Sequence, residues 1–175
     1  MIKFVATPIQ LNNRMILPLP DAASKLLSSR GQVFATGTIA GLDLQIVIEP
    51  DGNFGHWFKL DSKLQKALGR STSGNLNVEI EPSKDWPEPD MPTDFIKALA
   101  AAPSDVQALW SEVTPMARWE WIRWVNATSN LETRTRRVDV SISKLQSGKR
   151  RPCCFNLSAC TDPDLAKNGR LISLT

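Results

Sequence analysis

Short stretches of the first half of the chain place an apolar side chain at every second position, the period that turns one face of a strand inward and the other to water. Leu44-Gln45-Ile46-Val47-Ile48 and Leu76-Asn77-Val78-Glu79-Ile80 show it most clearly. Turn-forming Gly, Pro, Asn and Asp cut these runs at short intervals, so strands are predicted at 2–9, 14–19, 32–39, 43–49, 56–60 and 75–81. Pro50-Asp51-Gly52-Asn53 supplies a fixed φ followed by residues that tolerate positive φ, which predicts a hairpin between the fourth and fifth strands. Two short helices interrupt the pattern: 22–29, capped by Asp21 and stopped before Gly31, and 62–68, capped by Asp61 and stopped at Gly69. Several short strands leave open edges if they lie flat, and closure into a small barrel removes them.

The period changes after Glu81. Pro82, Pro87, Pro89 and Pro92 exclude a helix or a central strand there and mark a linker, centred on 86–93. Helices are then predicted at 94–102 behind Thr93, 105–113 behind Ser104 and 115–128 behind Thr114. A fourth is predicted to start at the capping box Ser129-Asn130-Leu131-Glu132. Leu131, Thr135, Val138, Ile142 and Leu145 recur along it at helical spacing until Gly148. Val138, Val140 and Ile142 also alternate as in a strand, and the caps and the length favour helix. The expected class is α+β: a small closed, mostly antiparallel β-barrel over 1–85, the linker, a helical segment over 94–148 and an irregular tail over 149–175.

Composition narrows the function classes. The 175 residues are 42% hydrophobic and 22% charged, ordinary values for a globular chain, which exclude a fibrous or wholly disordered protein. No apolar run reaches the roughly 20 residues of a membrane-spanning helix, and Met1-Ile2-Lys3-Phe4 is not the start of an export signal, so a cytoplasmic location is expected. The net charge of +3 conceals an asymmetry: residues 1–90 carry 9 basic and 10 acidic groups, residues 91–175 carry 12 and 8. A basic field of this kind suits an anionic partner, although charge runs are more often solvated helix faces.

Candidate chemistry is sparse. Cys153, Cys154 and Cys160 are odd in number and far in sequence from the only histidine, His56, so neither a disulfide framework nor a zinc site is expected. The vicinal Cys153-Cys154 pair beside Arg150 and Arg151 could respond to oxidants, but filling a gap is its commoner use. His56 has no nucleophile at a catalytic spacing, and phosphate-loop, dinucleotide and zinc-protease motifs are absent. No catalytic constellation, metal or cofactor is therefore predicted. Within Glu132-Thr133-Arg134-Thr135-Arg136-Arg137, Glu132 is one turn before Arg136, an ion-pair spacing, while Arg134 and Arg137 share a neighbouring face suited to a carboxylate or phosphate. The competing reading makes these arginines braces to acidic residues on the strands. Trp119, Trp121 and Trp124 with Ile122 and Val125 read first as core, and Trp121 second as a stacking surface for a ligand.

Leu17-Pro18-Leu19-Pro20, Gly37-Thr38-Ile39-Ala40-Gly41, Ile48-Glu49-Pro50-Asp51-Gly52, Pro92-Thr93-Asp94-Phe95-Ile96-Lys97-Ala98-Leu99 and Glu132-Thr133-Arg134-Thr135-Arg136-Arg137 occur in an order that resembles the bacteriocin-protection family, also called YdeI or OmpD-associated. The resemblance implies a small β-barrel of unknown function followed by the helical segment. It also implies a link with tolerance of bacteriocins or cationic antimicrobial peptides, and it carries the Glu-Thr-Arg signature onto Glu132, Thr133, Arg134 and Arg137. The chain departs at Trp124-Val125-Asn126-Ala127, which lacks the basic residue family members often have there. Together these readings predict a non-enzymatic binding or stress-tolerance protein holding a small anionic ligand between barrel and basic helix, with Arg134, Arg137, Arg136 and Trp121 as ligand residues. A protein partner, weak nucleic-acid binding and an enzyme with a dispersed site are the rival readings.

Overall fold

A computed structural model describes residues 1–152 and 160–172. They form two compact units, 1–85 with 164–172 and 86–152 with 160–163.

The first unit is a seven-stranded antiparallel sheet: β1 Ile2–Ala6, β2 Ile9–Leu11, β3 Arg14–Pro18, β4 Val33–Ile39, β5 Leu42–Pro50, β6 His56–Lys59 and β7 Leu76–Pro82. The strand order is β1-β7-β4-β5-β6-β3-β2. Alternation in β5 and β7 buries Leu44, Ile46 and Ile48, and Leu76, Val78 and Ile80, against Leu17, Phe58 and Leu60. Burying each such side chain contributes about 1.5–3 kcal/mol. α1 (Asp21–Lys25) and α2 (Ser62–Leu68) add Ala23 and Leu68 to this core. The β4–β5 hairpin turns on Ala40 and Gly41, both at positive φ, the form that matches strand twist.

The sheet is open, which corrects the expected closed barrel. Its edge strands, β1 and β2, are consecutive in the chain, and no ladder joins them among the described residues. Closure would require Thr7-Pro8 to act as a two-residue hairpin turn, and such turns need positive φ at the first residue. Threonine is β-branched and proline is fixed near −65°, so neither provides it. The predicted strand 2–9 instead breaks at Thr7-Pro8, pairing first with β7 and then with β3. The chain thus bridges the gap between the edges covalently.

On the other face of the sheet, Leu11, Ile16 and Trp57 are covered by Leu165 and Leu171. Leu171 lies in a small hairpin, β8 Ala166–Lys167 with β9 Arg170–Leu171, where the sequence predicted only irregular chain. Gly52 (φ 81) lies so close to Gly169 that a Cβ would overlap the Gly169 carbonyl.

The second unit holds α3 Thr93–Ala101, α4 Ser104–Glu112, α5 Pro115–Asn126 and α6 Leu131–Gln146. Their core is Phe95, Val106, Trp110, Trp121, Ile122, Val125, Val138 and Leu145. Val138 and Leu145 are two turns apart on α6, so the helical period prevails over the strand-like one. Thr114 and Asn130 cap α5 and α6 by accepting from the amides of Ala117 and Thr133. The predicted caps Thr93 and Ser104 lie inside their helices, because Pro92 and Pro103 hold the extended N-cap conformation. Asp21 likewise lies inside α1, which begins behind Pro20 and is shorter than predicted.

Candidate functional site

The basic residues of α6 divide by what they touch. Arg134 donates from Nε to Asp94 Oδ2 at 2.6 Å and from Nη2 to Asp94 Oδ1 at 3.0 Å, while its Nη1 reaches Asn126 Oδ1 at 2.9 Å. One guanidinium therefore ties α6 to α3 and to the end of α5, a fork-on-carboxylate arrangement. The Arg134 hydrogen bond holds the Asp94 carboxyl below the usual carboxylate range, against a smaller opposing effect of burial. The brace partner is a helix residue, where the sequence reading placed it on a strand. Arg136 forms the expected exposed pair with Glu132, at 3.2 Å. Trp121 is fully buried, donates from Nε1 to the Arg150 carbonyl at 3.2 Å, and meets Trp124 edge-on with centroids 6.4 Å apart.

Arg137 is placed differently. Its Nη1 donates to the Trp124 carbonyl at 2.7 Å, and its guanidinium carbon lies 5.5 Å from the centroid of the Trp124 ring. Lys144, two helical turns further on, brings Nζ to 5.4 Å from the same centroid. Among the described residues neither cation pairs with a carboxylate, whereas Arg118, Arg134, Arg136, Arg150 and Arg151 pair with Glu88, Asp94, Glu132, Glu112 and Glu120. Five side chains of the basic run are thus paired inside the helical unit, while Arg137 and Lys144 both lie against the half-buried Trp124. Sequence reasoning missed Lys144. The signal was its seven-residue spacing from Arg137, which puts both on one face of a helix already assigned.

In the sheet unit, His56 is 2% and Ser24 1% exposed, with Ser24 Oγ and His56 Nδ1 in a 2.6 Å hydrogen bond. His56 Nε2 has no partner, and burial lowers its pKa below 6.5. The pair is sealed from solvent. Cys160 is buried, and Cys153 and Cys154 lie outside the described residues. Among the described residues no group of three or more His, Cys, Asp or Glu could hold a metal, and no helix is long and apolar enough to cross a membrane.

Residues 88–148 match the sequence model of a family described as bacteriocin-protection, YdeI or OmpD-associated. The matched span contains α3 to α6 and with them every α6 side chain described above. The similarity to this family thus covers the four-helix span, and the sheet unit lies outside the match. No curated protein matches the chain.

Proposed function

We propose that this chain, with its family segment of four helices, acts by binding rather than by catalysis, and that the segment takes a small anion where Arg137 and Lys144 meet Trp124. The observation that supports the reading is two cations on one half-buried indole, neither paired with a carboxylate among the described residues. Each cation gains about 0.5–1 kcal/mol from the ring, but the two repel one another. An anion removes that repulsion and accepts charge-assisted hydrogen bonds. Arg137 spends one N–H on the Trp124 carbonyl and keeps the rest of its fork for a ligand. Arg134 holds α6 in place for it. We take the protein to be cytoplasmic, and any part in bacteriocin tolerance to run through this ligand, since a cationic peptide would be repelled by the same face.

Calorimetric titration with inorganic phosphate, pyrophosphate, citrate and a short oligonucleotide tests the reading. Binding of one of the small anions should weaken by about ten-fold or more, some 1.4 kcal/mol, in Arg137→Gln and in Lys144→Gln, with thermal stability near that of the parent. Binding that ignores both substitutions, or none across the panel, would overturn it. Oligonucleotide binding that falls steeply with salt would favour the nucleic-acid reading instead.

A further inference from the structure

The sheet unit contains a buried titratable group that no binding role uses. His56 opens β6, and its imidazole faces three pieces of chain. α1 contributes the Ser24 hydroxyl. Residues 29–31 contribute the Ser29 and Gly31 peptide oxygens and the Arg30 guanidinium, and the turn ahead of β6 contributes the Asp51 carboxylate. That turn is held by several ties. Asp51 Oδ1 accepts from the amides of Asn53 (2.7 Å) and Gly55 (2.8 Å), and the Asp51 amide donates to the Gly55 carbonyl at 3.0 Å. The Phe54 carbonyl accepts from Arg30 Nη1 at 3.1 Å and from Ser24 Oγ at 3.5 Å. Phe54 itself has φ 68 and is 87% exposed, a left-handed conformation that a bulky residue keeps only while its surroundings impose it.

We propose that His56 is a proton-operated latch: neutral, it holds the turn 51–55 against α1 through Ser24, and protonated, it releases that turn. Neutral imidazole is served at Nδ1 by Ser24 and leaves Nε2 without a partner. Imidazolium carries a second N–H and a full charge into a site sealed from water. Burial, the largest effect, and Arg30 oppose that charge, the Asp51 carboxylate and the two peptide oxygens favour it, and the balance keeps the ring's pKa lowered. Water reaches Nε2 when one of the three surrounding segments, α1, residues 29–31 or the turn, lifts. The turn is the segment assigned to give way, because Phe54 holds a left-handed conformation that relaxes when the turn lifts. Protonation therefore loosens one end of the sheet unit and leaves the central strands paired.

His56 is the only histidine, so its ring Cε1–H resonance reports the titration without ambiguity. The test follows that resonance and amide exchange, corrected for intrinsic rates, from about pH 7.5 to about pH 5, a window above the ordinary carboxylate range. The ring should titrate below 6.5, and protection of the Asn53 and Gly55 amides should fall by about ten-fold or more through the same midpoint while the β4 and β5 amides keep theirs. His56→Gln, which retains a partner for Ser24 but cannot titrate, should lose that pH dependence. Should it fail to fold, Ser24→Ala serves: the turn amides should then exchange faster at neutral pH. Titration at or above 6.5, turn protection indifferent to the ring's charge, or the same pH dependence in His56→Gln would each overturn the latch.

Discussion

Arg134 shows how residue identity and residue role part company. The sequence places two guanidinium groups three residues apart on one helix and permits either ligand capture or bracing. The choice falls to Asp94, forty positions earlier, whose carboxylate occupies the Arg134 fork on two atoms. Arg134→Gln or Asp94→Asn should therefore cost about 1–2 kcal/mol, seen as a lower denaturation midpoint, because removing either partner leaves the other's charge without its match. Arg137→Gln should cost less stability, since its carbonyl bond is single. Proton linkage gives a second expectation. Asp94 is depressed in the fold, so its contribution is present above the ordinary value of 3.8 and is lost as pH falls through the still lower folded value. His56 is also depressed, so folding favours its neutral form, and stability should decline as pH falls from 6.5 toward its folded value. Stability measured against pH should thus fall in two separate windows, with His56→Gln removing the upper and Asp94→Asn the lower.

At the scale of elements, period and punctuation carry most of the information. β5 and β7 lie where alternation puts them, and α6 lies where its apolar residues and Gly148 put it. The starts of α3 and α4 are displaced by one cause: Pro92 and Pro103 preset the extended conformation that a capping side chain otherwise secures, leaving Thr93 and Ser104 inside the first turns. β2 was missed because three residues between Pro8 and Asn12 are too few to show a period. Gly37 carries a constraint of its own. It lies in β4 opposite Ile80 of β7, where a Cβ would overlap the Glu79 carbonyl. Gly37→Ala must push β4 and β7 apart, and a loss of about 1–3 kcal/mol or a failure to fold is expected in chemical denaturation.

At the scale of the molecule, residues 164–172 come back to pack on the sheet of the first unit. Leu165 is fully buried against Leu11, Ile16 and Trp57, and Arg14 pairs with Asp164 at 3.1 Å. Leu165→Ala should cost about 2–5 kcal/mol, as deletion of a large buried side chain does, and should shift Trp57 emission toward that of a wetter indole. Nothing in the local pattern of residues 149–175 announces this, because two two-residue strands and one buried leucine gain their meaning from the sheet they cover. The same division runs through the whole protein. Period, proline placement and turn chemistry are local properties, and they carry the α+β class, the six longer strands and the four C-terminal helices, whereas the family resemblance rests on residue motifs and not on any period. Contacts between residues distant in the chain are not encoded in any local pattern. It took the assembled fold to show that Asp94 claims Arg134, that Arg137 and Lys144 share Trp124, and that His56 is sealed behind Ser24.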